Sequence, residues 1–63
     1  MGREFSSSYD SEEWEVTVYI DGKMYIYTGV SRYHNHRFTK LAKSNKGRAM
    51  TYIKFFRQKP PSR

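Results

Sequence analysis

The dipeptide Asp21-Gly22 lies between two runs of alternating side chains, and this arrangement narrows the fold more than any other feature. Aspartate followed by glycine suits a two-residue type I′ turn, because both central residues of that turn need a positive φ. Residues 14–20 alternate large apolar with polar side chains, and residues 23–28 have the β-branched and aromatic composition of a returning strand. The sequence therefore predicts an antiparallel hairpin with strands at residues 14–20 and 23–28.

The short loop also fixes which residues face each other across the hairpin. Val18 is predicted to lie opposite Tyr25, and Val16 opposite Tyr27. This register places Trp14 on the same face as those four side chains, and this is the face that a helix must cover. We interpret Tyr25 and Tyr27 as core residues with hydroxyls at the rim, although exposed tyrosines on a sheet can instead stack on unpaired bases.

Further elements are needed, because a lone two-stranded hairpin is unstable in water. Residues 5–9 are predicted to add a short edge strand. After Gly29 the apolar residues follow a helical period, and a helix is predicted over about residues 32–45 with Ser31 as its N-cap. Gly47 is expected to end this helix in the left-handed conformation.

The first predicted helix has two different sides. Its apolar stripe consists of His34, Phe38, Leu41 and Ala42. Its other side carries His36, Arg37, Lys40 and Lys43, with Tyr33 among them. We therefore expect the stripe to pack on the sheet and the basic side to face solvent.

Residues 48–57 favour a second helix, since Ala49, Ile53 and Phe56 fall on one side of it. A strand over residues 51–56 is the alternative, because this run is short and aromatic. The prolines that follow end any regular element.

The chain of 63 residues is thus predicted to be one small α+β domain over residues 1–63. A hairpin or three-stranded sheet is expected to pack against one or two C-terminal helices. The ordered core is expected to span about residues 5–57, and residues 58–63 to form a basic tail.

Charge is divided unevenly along the chain, which has a formal net charge of +6. Residues 1–22 hold all six acids and one arginine, whereas residues 23–63 hold eleven lysines and arginines and no acid. This asymmetry favours a polyanionic partner for the C-terminal part, with nucleic acid first. Solubility is the alternative explanation of the charge.

The basic side of the first helix is the predicted nucleic-acid surface. Arg37, Lys40 and Lys43 recur at a spacing that keeps them on one side of a helix. Such a row can follow phosphates while a nearby tyrosine stacks on a base, although it is also typical of an ordinary solvated helix face. The complete predicted set is Tyr33, Arg37, Lys40, Lys43, Lys46, Arg48 and Lys54.

The middle of the chain resembles the KTSC domain, a family named for the C-terminus of certain lysyl-tRNA synthetases and also found as small bacterial and phage proteins. Residues 25–30 read YIYTGV and resemble the family's central YxYxGV motif, and residues 44–48 resemble its Ser-Lys-Gly stretch. The resemblance spans about residues 8–57. It implies a compact α+β fold and a role in RNA binding. Its motif residues are interpreted as structural, namely Tyr25, Tyr27 and Gly29.

The reactive side chains argue against an enzyme. The chain has no cysteine, which excludes disulfides and thiolate chemistry. His34 and His36 fall on different sides of a helix and have no carboxylate nearby in sequence, so no metal site is expected. The serines at residues 6–8 have no recognisable base, and the glycines are too scattered for a phosphate loop. We expect no catalytic residue and no cofactor.

Location and partners follow from the same composition. No apolar run approaches the roughly 18 residues that a membrane span needs, and the first residues lack the apolar segment of a signal peptide. A cytoplasmic protein without membrane contact is therefore expected.

The expected partner is nucleic acid, with RNA favoured over DNA. The alternative is a small phage or bacterial module that binds and modulates an acidic surface of a host enzyme or machine, anchored by Trp14, Tyr33 or Phe55. A homodimer through an exposed sheet edge is also left open.

Overall fold

A computed structural model describes residues 4–60 of the chain. The elements in chain order are β1 (Phe5–Asp10), β2 (Glu15–Ile20), β3 (Lys23–Thr28), α1 (Arg32–Ser44), α2 (Lys46–Ile53) and β4 (Arg57–Lys59). The strands form one antiparallel sheet in the order β1-β2-β3-β4. One face of this sheet packs against both helices, and this confirms the predicted α+β class.

The hairpin of β2 and β3 has the predicted turn and register. Asp21 and Gly22 have φ values of 50° and 83°, the two positive values that a type I′ turn requires. Val18 pairs with Tyr25, as predicted. The strand over residues 5–9 also forms, since β1 pairs with β2 along its whole length.

Trp14 does not join the covered face, so that prediction was wrong. Strand β2 begins one residue later, and Trp14 ends the β1–β2 turn with a φ of 59°. A left-handed residue interrupts the two-residue period of a strand, and the Trp14 side chain is therefore 52% exposed. The Trp14 carbonyl accepts a hydrogen bond from the Val30 N–H at 2.9 Å, which ties this turn to the start of the helical layer.

The two helices are capped by side chains on their N-terminal sides. Ser31 caps α1 as predicted, because its hydroxyl accepts from the His34 N–H. Asn45 separates the helices with an extended backbone, and its Oδ1 accepts from the Arg48 N–H at 3.1 Å. The prediction that Gly47 ends α1 in a left-handed conformation was wrong: Gly47 lies inside α2, and Asn45 turns the chain without a left-handed residue.

The core lies between the sheet and the two helices. Phe38 of α1 and Ile53 of α2 are fully buried against Val16 and Val18 of β2. These burials account for the apolar stripes predicted for both helices. The buried core consists of Val16, Val18, Tyr27, Val30, Phe38, Ala49 and Ile53.

The C-terminal part differs from the prediction of one helix over residues 48–57 followed by a tail. Helix α2 ends at Ile53, and the chain then turns and adds β4 beside β3, with Arg57 opposite Thr28. A polar strand of three residues has too short a pattern to be recognised in the sequence. The prediction of a tail over residues 58–63 was therefore wrong for residues 58 and 59, which belong to β4. Residues 61–63 of the predicted tail lie outside the described residues.

Candidate nucleic-acid interface

The predicted basic side of α1 is exposed along the whole helix. Arg37, Lys40 and Lys43 all face solvent, whereas Phe38, next to Arg37 in the chain, is fully buried. Because three to four residues make one turn of a helix, consecutive side chains point in different directions, and one can be buried while the next faces solvent. Lys43 also lies in the last turn, where a cation complements the helix dipole.

Tyr33 and Arg37 form a pair one helical turn apart. An Arg37 Nη1–H donates to the Tyr33 hydroxyl at 3.3 Å, and the guanidinium carbon lies 5.8 Å from the centre of the tyrosine ring. The hydrogen bond to Tyr33 is the main cause of a raised pKa at Arg37. Tyr33 is 62% exposed although the Arg37 guanidinium lies over one face of its ring, so a planar ligand meets the remaining exposed ring surface next to a cation.

A shallow depression of about 480 Å³ runs along this side of α1. None of the described residues that line it is acidic. They are Tyr33, His36, Arg37, Lys40, Leu41 and Ser44. The predicted set of site residues did not include His36, Leu41 and Ser44. Leu41 follows Arg37 by four residues and Ser44 follows Lys40 by four, a spacing that signals the same side of the helix.

Lys46 extends the basic surface around the end of the helical layer. Its Nζ lies 5.8 Å from the centre of the Phe5 ring, at the start of β1. Arg48, two residues further along α2, is exposed. Lys46, at the α1–α2 junction, therefore lies next to the sheet edge formed by β1.

Lys54 belongs to a different surface from the α1 residues. It lines a cleft of about 690 Å³ between α2 and β3, together with Lys23 and Asp21. The structure therefore divides the predicted set and does not bring Lys54 into the α1 depression. Lys23 was missed, although the two-residue period from Tyr25 and Tyr27 puts it on the same face of β3.

The motif residues at 25–30 act in the fold. Tyr27 is 3% exposed on the covered face, and burial raises its pKa, with the neighbouring Tyr25 as the second cause. Tyr25 is half-buried and lines the cleft between α2 and β3. Gly29 has a φ of 75°, a conformation that glycine adopts without strain, and Val30 follows it into the core.

Most of the acids lie at one end of the sheet, around the turn between β1 and β2. Asp10 Oδ1 accepts the N–H groups of Glu12 and Glu13 at 3.0 and 3.2 Å, which fixes this turn. Lys46 lies at the opposite end of β1, beside Phe5. The two ends of β1 are five residue steps of about 3.3 Å apart, or about 16 Å, which is twice the Debye length of about 8 Å at physiological salt. The acids of the turn are therefore largely screened from Lys46.

Two further acids, Glu4 and Asp21, lie at the other end of the sheet and are joined by two hydrogen bonds. The Glu4 N–H donates to Asp21 Oδ1, and the Asp21 N–H donates to the Glu4 carbonyl. Glu15, the first residue of β2 at the β1–β2 end of the sheet, pairs with Lys59 of β4 at 3.2 Å. Within residues 4–60 no carboxylate lies within ion-pair distance of the exposed cations of α1.

The two histidines of α1 lie in different surroundings, His34 at the capped start of the helix and His36 on its exposed side. His34 Nδ1 lies 2.8 Å from the Ser31 hydroxyl, and its ring makes an edge contact with Phe56 at 5.1 Å. His36 lines the α1 depression. Among the residues that the structure describes, no three histidine, aspartate or glutamate side chains converge on a point where a metal could bind.

Neither of the described helices is long and apolar enough to cross a bilayer.

Comparisons with protein-family models, with curated proteins and with solved structures find no match to this chain. The resemblance to the KTSC domain therefore stays a prediction.

Proposed function

We propose that this protein is a small cytoplasmic module that binds nucleic acid, RNA in preference to DNA, through the outer side of α1. The observation that carries the proposal is the α1 depression, in which Tyr33, Arg37 and Lys40 lie together without an acidic neighbour. Arginine and lysine bind phosphates, and an exposed aromatic ring stacks on an unpaired base, contributing about 1–3 kcal/mol.

The position of Tyr33 favours an unpaired strand over a duplex. Tyr33 lies in the first turn of α1 and Lys43 in the last, so the cations run about 15 Å along the helix axis beyond the ring. A single strand can stack one base on Tyr33 while its following phosphates meet the cations. A duplex hides the faces of its bases, which leaves only phosphate contacts for this surface.

We also propose that the chain is a KTSC domain. The buried Tyr27 and the left-handed Gly29 give physical roles to two of the residues on which the resemblance depends. An experimental structure of a KTSC domain tests this proposal. The same strand order with both helices on one face supports it, and a different strand order contradicts it.

A titration of labelled RNA against salt tests the main proposal. Fluorescence anisotropy is measured with single-stranded RNA, single-stranded DNA and duplex DNA of equal length. The logarithm of the RNA affinity is expected to fall with the logarithm of the salt concentration by about 0.7 per phosphate contacted, or about 2 for three contacts. A flat dependence, or no binding at about 50 mM salt, contradicts the proposal.

The Tyr33→Leu variant separates stacking from phosphate binding. Loss of the ring is expected to weaken binding of single-stranded RNA by about 5- to 150-fold and to leave the salt slope unchanged. Tyr19→Leu is the control, since Tyr19 is an exposed tyrosine on the other face of the sheet. Equal losses for the two variants contradict a stacking role for Tyr33.

A protein-interaction module remains a second candidate because of two exposed aromatic rings. Trp14 is 52% exposed and Phe55 is 85% exposed, and neither belongs to the α1 depression. Large aromatic side chains are common anchors in protein interfaces. Partners that stay bound to the immobilised protein after nuclease treatment, and are lost with Trp14→Ser or Phe55→Ser, support this candidate. Partners that nuclease removes support the first.

A further inference from the structure

We propose that the free edge of β1 pairs with β1 of a second copy of this chain, so that two molecules form one continuous sheet around a two-fold axis at Ser7. The proposal does not depend on nucleic-acid binding. It rests on the hydrogen-bonding direction of β1, on the absence of a blocking device along it, and on the charges at its two ends.

The backbone of β1 turns alternate residues towards the free edge. The Asp21 N–H bonds to the Glu4 carbonyl, so the backbone groups of Glu4 point towards β2. In an antiparallel ladder this direction alternates from residue to residue. The register of β1 with β2 is regular, and the backbone groups of Phe5, Ser7 and Tyr9 therefore point outward, away from the sheet.

One symmetric register uses all three outward residues. An antiparallel pair with Ser7 on the two-fold axis sets Phe5 of each copy opposite Tyr9 of the other copy. The side chains of Phe5, Ser7 and Tyr9 all lie on the helix-covered face, so both copies keep their helices on the same side of the joined sheet. Each of the three pairs can exchange two backbone hydrogen bonds.

The two edges of the sheet differ in how they are protected. Strand β4 has three residues, carries Arg57 and Lys59, and is followed by Pro60, all of which discourage pairing with another strand. Strand β1 is six residues long, has no lysine, arginine or proline, and has three exposed serines at its centre. Small side chains leave the β1 edge open to a second strand.

The charges at the ends of β1 match in an antiparallel pair. Lys46 lies beside Phe5 at the start of the strand, and the exposed Glu12 and Glu13 follow its end. Antiparallel pairing brings Lys46 of each copy to the acidic β1–β2 turn of the other. The symmetry provides this favourable contact twice.

The same register has one unfavourable contact, and this contact makes it testable. Glu4 lies one step before Phe5, so it comes opposite Asp10 of the second copy. Like charges that face each other across strands are destabilising. Glu4→Gln is therefore expected to tighten the dimer, whereas Glu12→Gln, which removes the same charge from the acidic turn, is expected to weaken it. Each effect is expected to be about two- to fivefold per contact.

Sedimentation velocity of the full chain without nucleic acid measures the association. Edge pairing makes a small interface, so we expect a dissociation constant on the order of 100 μM. Ser7→Lys places two like charges across the two-fold axis and is expected to abolish the dimer. Ser44→Lys is the matched control, since it adds the same charge at an exposed position on α1 and is expected to dimerise like the parent chain.

Hydrogen exchange identifies the surface that associates. Raising the protein concentration is expected to protect the amides of Phe5, Ser7 and Tyr9, while the amides of Ser6 and Ser8 already bond to β2. A chain that stays monomeric up to about 1 mM overturns the proposal. A dimer that survives Ser7→Lys, or one that forms without added protection at these three amides, shows another surface and also overturns it.

Discussion

The outer side of α1 and the sheet face that the helices leave uncovered, here called the open sheet face, are both accessible to solvent. They differ in how their charges are balanced. The α1 depression holds Arg37 and Lys40 with no acidic neighbour among its described residues. On the open sheet face Lys59 is paired with Glu15 at 3.2 Å. A basic surface is therefore a candidate for polyanion binding because it lacks a compensating carboxylate as much as because it has many cations.

Both surfaces depend on one small core, so the largest expected effect comes from Phe38. Phe38→Ala removes a fully buried ring between α1 and the sheet, and it is expected to lower the free energy of unfolding by about 3–5 kcal/mol. Urea denaturation followed by circular dichroism measures the loss. Phe55→Ala, at a ring that is 85% exposed, is the control and is expected to change stability by less than about 0.5 kcal/mol. A loss below about 1 kcal/mol for Phe38→Ala would place the core elsewhere.

Asn45 tests the helical layer alone. Asn45→Ala removes the side chain that caps α2 and is expected to cost about 0.5–2 kcal/mol, while the backbone bond from the Asn45 N–H to the Leu41 carbonyl stays. Asn45→Asp keeps the capping oxygen and is expected to retain the stability. Thermal unfolding of the three proteins decides this. Equal losses for Ala and Asp would contradict a capping role.

Tyr27 gives the covered face of the sheet a dependence on alkaline pH. Burial raises its pKa from the ordinary value of 10.0, so as the pH rises the tyrosine ionises first in the unfolded chain. Its contribution to stability is full below pH 10.0 and is lost as the pH rises through the folded value. Tyr27→Phe is expected to unfold with a shallower alkaline decline, measured by urea denaturation between about pH 8 and pH 11. Tyr19→Phe is the exposed-ring control, and an equal change in both variants would contradict the assignment.

The smallest expected effect concerns the balanced charges of the open sheet face. Glu15→Gln removes the partner of Lys59 and is expected to change stability by no more than about 1 kcal/mol, because the pair is exposed. It also leaves Lys59 uncompensated, so RNA binding at low salt is expected to rise slightly. Anisotropy at about 50 mM salt measures this rise. Weaker binding by the variant would contradict the importance of charge balance.

Local patterns predicted the parts of the fold that local contacts determine. The Asp21-Gly22 turn sets its own register, and the stripe through Phe38 predicted α1 within about one residue of its observed bounds. The exposed basic side of α1 followed from the same helical period. These features need only residues that are close together in the chain.

The features that the sequence did not predict depend on distant contacts or on turn geometry. Strand β4 forms because the chain returns to β3 after two helices, and its three polar residues carry no period of their own. Trp14 does not lie on the covered face, because its own left-handed backbone conformation breaks the alternation of side chains along the strand. Lys54 was grouped with α1 by charge alone, whereas α2 places it in a separate cleft beside Lys23.

The binding surface is tested most directly by the salt dependence of RNA binding in two double variants that lose the same charge. Arg37→Gln with Lys40→Gln alters the α1 depression, and Arg57→Gln with Lys59→Gln alters β4. The first variant is expected to lower the salt slope by about 1.4, equivalent to two phosphate contacts, and the second is expected to stay close to the parent chain. Equal slopes for the two variants would contradict α1 as the surface that binds nucleic acid.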